Sequence, residues 1–272
     1  MYKYFNNIKK ILKTIDNPLK KSENVPEKDK LEREFYDKEA EKYLLNFDKN
    51  LFRYDENEPL PPRHKFFYSL LEDVKRKHIL DCCCGCGFTS VRLAKRGALI
   101  TGIDISPRMI EVAEMNAEFN NISKSINFKV MSAQDMSFND NTFDYVVSLV
   151  GLHHLNLELA GKEIRRVLKV GGKAVFLEPR IPFRWIMVFR SLIPKICDES
   201  PGGGSLSDKE VYKFSRNFSN YRICYFQLLR KLFRVTSSNK FSSKIDKLDF
   251  QLINKFPILR KLCWAFVLEF TK

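Results

Sequence analysis

Two adjacent histidines, His153 and His154, follow an apolar run that begins at Asp144. Imidazole is the side chain best suited to take a proton near neutral pH. Both are therefore candidate general bases, the alternative being that one packs beneath a bound ligand and the other caps the next helix. Far upstream, Ile79-Leu80-Asp81-Cys-Cys-Cys-Gly85-Cys-Gly87 reads as a buried strand ending in an acid, then a turn with glycines at alternate positions. The helix Thr89–Lys95 follows. A strand that hands a glycine-rich turn to a helix N-terminus is a platform for a nucleotide-containing ligand. Glycine lets the ligand approach the backbone, and the first N–H groups of the helix have no internal partner. A second acid, Asp104, ends the branched run Ala98–Asp104. In a doubly wound sheet an acid at that point can accept from both ribose hydroxyls; its alternative is a turn acid before Ser106-Pro107.

These residues need a frame. Pro107–Asn120 is a predicted helix with Met109, Ile110, Ala113 and Ala117 on one face. Ile126–Met131 and Asp144–Val150 read as strands, Gly161–Leu168 as a helix, Lys169–Gly172 as its turn and Ala174–Glu178 as a further strand. No G-x-G-x-x-G follows a strand, which argues against a dinucleotide fold.

The acid-first turn resembles motif I of the class I S-adenosylmethionine (SAM) methyltransferases, Asp-x-Gly-x-Gly-x-Gly, with Cys83 at its first glycine. The resemblance extends from about Glu32 to Glu178 and is nearest to the small-molecule, UbiE-like group. It implies an α/β fold: a Rossmann-like seven-stranded sheet with helices on both faces and a helical cap insertion. It places Asp81, Cys83, Gly85, Gly87, Asp104, Ile105 and Leu149 around the cofactor. Ser132 and Ala133 would lie along the adenine edge, and Asp135 would accept from the adenine amino group or stand as a solvated turn acid. The helix Leu31–Phe47 would lid the cofactor, with Tyr36 and Tyr43 as lid residues or core contacts. His154, ahead of His153, is the expected base where the transferred methyl meets its acceptor.

After Glu178-Pro179 the pattern changes. Ile181–Ile193 mixes aromatics with arginines, Gly202–Gly204 reads as a loop, and Ser207–Phe214 as a capped helix. Tyr221–Leu229, Lys244–Lys255 and Leu262–Phe270 form a late strand–helix–strand that completes the sheet. An insertion over about residues 180–218 is expected to cap the acceptor end of the sheet, with Arg180 and Trp185 as acceptor-selecting residues.

Composition narrows the classes. Of the net charge of +14, most sits in residues 180–272, where eighteen lysines and arginines face seven acids. Residues 1–30 form a basic amphipathic extension and linker ahead of a 31–272 domain. Such an extension fits a membrane surface, an organelle leader or a helix docked on the domain. The basic ends suggest an anionic partner, which a phospholipid membrane surface, a phosphorylated acceptor or nucleic acid would each supply, and the crowded thiols a reducing, cytoplasmic compartment. Cys-Cys-Cys-Gly-Cys lacks the paired spacing of zinc sites, so no metal is expected. No run is long and apolar enough to span a bilayer. The expected activity is SAM-dependent methylation of a small-molecule or lipid-linked acceptor. Two alternatives stand beside it. A nucleic-acid methyltransferase would account for the basic ends, although the fourth strand lacks the Asn/Asp-Pro-Pro motif of amino-methylating enzymes. A non-catalytic binding subunit would account for Cys83.

Overall fold

The computed structural model describes residues 26–180, 204–229 and 239–272. The amphipathic extension over 1–25, Trp185 and the aromatic stretch around it lie outside the described residues. Seven strands form one sheet: β1 (His78–Cys82), β2 (Leu99–Asp104), β3 (Ile126–Val130), β4 (Phe143–Leu149), β5 (Leu168–Pro179), β6 (Asn220–Phe226) and β7 (Ala265–Thr271). Their order is β3-β2-β1-β4-β5-β7-β6. The first five run parallel, and β7 lies antiparallel between β5 and β6.

Successive residues on a strand point to opposite faces, so a sheet covered on both sides needs unbroken apolar runs. Ile79 and Leu80 of β1, and Val146 and Val147 of β4, are all fully buried. On one face Ile79, Val147 and Val175 pack with Phe67 and Leu71, from helix α3 (Pro62–Ser69) and the turn after it, and with Leu93 of α4 (Phe88–Lys95). On the other, Leu80, Val146 and Phe176 meet Ile164 and Val167 of α6 (Leu157–Val167) and Phe214 of α7 (Asp208–Ser215). A smaller cluster joins α1 (Glu27–Leu45), α2 (Lys49–Phe52) and α5 (Pro107–Phe119) through Ala40, Phe52, Met109 and Val112. Burying each of these Val, Leu, Ile, Phe and Met side chains contributes about 1.5–3 kcal/mol.

Several boundaries move for local reasons. α1 starts at Glu27, so Asp29 and Lys30 are helical rather than linker. α6 starts before Gly161 because the Asn156 side chain accepts from the N–H groups of Glu158 and Leu159. Lys169–Gly172 is not a turn but the bulged start of β5, with Gly171 at φ +74°. The last predicted strand starts later, since Pro257–Leu262 winds into a 3-10 turn after α8 (Asn239–Lys255).

The end of the expected cap is also different. Ser207 and Glu210 form a capping box that starts α7. Val211 and Phe214, one turn apart, then bury against the sheet, where the Phe214 ring meets Phe176 and Phe270 edge-on. Residues 207–218 thus belong to a core layer and do not cover the acceptor end.

Candidate active site

Strand order reverses between β1 and β4, and loops leaving the carboxyl ends of these strands diverge there and open a crevice. A cavity of about 420 Å³ occupies that place. The turn after β1, the ends of β2 and β4 and the loop after β3 supply its wall, and α1 crosses above.

The turn after β1 is built on unusual backbone. Cys83 has φ +54°, a left-handed conformation that costs an L-residue about 1–2 kcal/mol. Gly151 makes room for it, because a Cβ at 151 would lie 2.6 Å from the Cys83 Cβ. Gly85, at φ +49°, has no atom within 4 Å of where a Cβ would stand, so it leaves an open cradle on the cavity wall. Asp104 braces this turn: one carboxylate oxygen accepts from the Gly85 N–H and the other from Ser106 N–H, each at 3.0 Å. Burial pushes the Asp104 carboxyl above its ordinary range, and these two hydrogen bonds pull it part of the way back.

Opposite, β4 ends at Leu149, and Val150 takes φ +61°, rare for a β-branched residue. The short 3-10 turn Leu152–His154 follows. Glu178, fully buried at the end of β5, organises it. One of its oxygens accepts from Gly151 and Leu152 N–H at 3.0 and 2.7 Å, and the other meets His153 Nδ1 at 2.7 Å. That leaves His154 on the cavity wall. Its Nε2 lies 3.0 Å from the Tyr36 hydroxyl and its Nδ1 3.3 Å from the carboxylate of Glu32, itself 2% exposed. Glu32 and Tyr36 are four residues apart on α1, hence on one face of it.

The methyltransferase domain family matches residues 80–176 of the chain. The ubiquinone/menaquinone biosynthesis C-methyltransferase UbiE of Zymomonas mobilis is 30% identical over 201 residues, which is 71% of this chain and 75% of that protein. This chain belongs to the class I SAM-dependent methyltransferases. The demethylmenaquinone methyltransferase of Staphylococcus carnosus is 31% identical over 191 residues, 63% of this chain and 77% of that one. The structure of geranyl diphosphate C-methyltransferase from Streptomyces coelicolor shares the fold, with a TM-score of 0.62 at 14% identity over 92% of this chain and 99% of that one.

As a methyltransferase the chain uses SAM to methylate a small molecule, so the non-catalytic alternative falls. The cavity fits that donor. Gly85 leaves the open cradle, and Asp104 stands at the β2 end beside Ile105. Asp29, Glu32, Glu39 and Asp104 line the space with no lysine or arginine among the described residues, which suits a cofactor whose sulfonium and ammonium are both cationic.

The sequence-predicted residues divide. Cys83, Gly85, Asp104, Ile105, Ala133, Leu149, Tyr36, Tyr43 and His154 reach the cavity. Gly87 does not line it: at φ +74° it starts α4, and a Cβ there would press Ala113 of α5 and Phe128 of β3 at 3.0 Å. Asp81 is buried behind the turn, where it accepts from the Ser90 hydroxyl at 2.6 Å. Ser132 Oγ turns to the Gln134 N–H, and Asp135 is exposed to solvent. His153 is spent on Glu178. Arg180 is corrected as an acceptor residue: it is 4% exposed, ion-paired to Asp208, and donates to the carbonyls of Lys261 and Cys263.

Glu32, Gln134 and Glu178 were missed. Gln134 joins three segments, donating to Asp29 at 2.8 Å and accepting from Asn156 N–H at 2.6 Å. Glu178 carried the same signal as Asp81 and Asp104, an acid closing an apolar strand. Glu32 could have been found from its i,i+4 relation to Tyr36.

Proposed function

We propose that this methyltransferase acts on an uncharged, lipid-like ring acceptor such as a phenol or hydroquinone, and that His154 takes the acceptor's proton. The observation that carries the reading is the seat of His154 on the cavity wall between Tyr36 and Glu32. An ionised carboxylate only accepts, so Nδ1 keeps its proton toward Glu32 and Nε2 presents its lone pair toward the Tyr36 hydroxyl. An acceptor hydroxyl that enters beside Tyr36 hands its proton to the Tyr36 oxygen as the Tyr36 proton passes to Nε2, and Glu32 stabilises the imidazolium that results. SAM supplies an electrophilic methyl group on a sulfonium. The protein contributes orientation, exclusion of water and the proton path.

The acidic lining disfavours an anionic acceptor held near the reacting centre, and the apolar rings of Phe35, Tyr36 and Tyr43 favour a flat one. The quinone-methylating relatives support the same class. Three thiols on the wall, Cys83, Cys84 and Cys86, fit work in a reducing compartment.

The test is transfer of labelled methyl from SAM to a panel of demethylated hydroquinones, simple phenols and phosphorylated isoprenoids. Turnover of the neutral rings, lost about 10²–10⁴-fold in His154→Gln at unchanged SAM affinity, is the expected result. Turnover confined to phosphorylated acceptors overturns the acceptor class, and full activity of His154→Gln overturns the base.

A further inference from the structure

The end of α8 and the 3-10 turn after it expose Phe256, Ile258 and Leu262, which are 46%, 64% and 39% accessible. Lys255, Arg260 and Lys261 stand exposed among them, and no acid occurs between Phe250 and Leu262. The Lys255 ammonium lies over the Phe256 ring at 5.6 Å. Leu259 alone turns inward, against the cluster of Ile253 and Cys263. The backbone below is fixed: the buried Arg180 guanidinium donates to the carbonyls of Lys261 and Cys263 at 3.0 and 2.9 Å. The outward side chains therefore stand on a rigid base, and exposed apolar groups rimmed by charge mark an interaction surface.

The position of this surface adds meaning. β7 starts at Ala265, paired with Pro179 at the end of β5. The turn just before it thus lies at the sheet edge where β1, β2 and β4 deliver the cavity wall.

We propose that residues 255–262 dock this enzyme on an anionic phospholipid surface, with the cavity edge of the sheet toward the membrane. Aliphatic Ile258 and Leu262 enter the headgroup–acyl boundary while Lys255, Arg260 and Lys261 meet lipid phosphates. Nucleic acid is the poorer match, since binding there relies on stacking and two of the three apolar side chains are aliphatic. The docking is independent of which acceptor is methylated.

Vesicle flotation of the full chain tests it, with phosphatidylcholine alone and with phosphatidylglycerol added. Binding is expected only with the anionic lipid. The variant R260Q/K261Q should bind about 25-fold more weakly, at roughly fivefold per charge. F256S/I258S should lose flotation, and both variants should keep wild-type SAM affinity. Equal flotation on neutral vesicles, or wild-type flotation of both variants, overturns the proposal. So does a shift of solution mass in F256S/I258S, which would make the patch a contact between copies, or patch-dependent retention on RNA without flotation.

Discussion

Cys83 and Gly151 are a matched pair across the cavity floor: the cysteine occupies the space that a side chain at 151 would need. A left-handed Cys83 is tolerated because its neighbour is the one residue type without a Cβ. The departure from a glycine at the first motif position is thus met by close packing on the opposing loop.

Gly151→Ala places a methyl 2.5 Å from Ser148 Oγ and 2.6 Å from Cys83 Cβ. It should destabilise the protein by about 1–3 kcal/mol and weaken SAM binding, since both loops form the cavity wall. Adding Cys83→Gly should recover part of that loss. Thermal melts and calorimetry on the two single variants and the double variant read the coupling, and strict additivity would contradict the pairing.

Tyr36→Phe and Glu32→Gln should each lower kcat by about 10–100-fold, the worth of one hydrogen bond to a charged group. KM for SAM should stay nearly constant. A change confined to KM, with kcat intact, would assign the two residues to binding alone.

Burial raises the Asp81 carboxyl to about 7, with the Ser90 hydroxyl opposing the shift. A carboxyl raised in the folded state binds more protons there than in the unfolded chain between pH of about 4 and about 7. Its contribution to stability therefore falls as pH rises through that window and is level above it. The stability difference between wild type and Asp81→Asn should shift in favour of the variant by several kcal/mol from pH 4 to 7. Denaturant melts across the range check this, and a constant difference would contradict it.

Arg180→Met removes the partner of Asp208 and unpairs the carbonyls of Lys261 and Cys263. It should cost about 3 kcal/mol of stability while SAM affinity is kept at low temperature. A selective change of acceptor preference with no loss of melting temperature would restore Arg180 to the acceptor site.

The cofactor half of this enzyme was legible because its signals are local. An apolar strand, an acid, a glycine turn and a helix are neighbours in the chain, so their order alone determines the crossover unit and the family. Charge segregation and the apolar periods of the strands are equally local. The acceptor half was decided by tertiary structure. Tyr36 meets His154 across 118 residues and Gln134 meets Asp29 across 105, contacts that depend on how α1 lies over finished strand ends. Asp81 and Asp104 close their strands in the same way in sequence, yet one is walled in behind Ser90 and the other faces the cavity. Arg180 was expected to select the acceptor, and the fold instead encloses it with Asp208. Period and propensity set which residues form an element and which face is apolar. Only the packing of elements sets whether a charged group ends in water, in a cavity or against a partner.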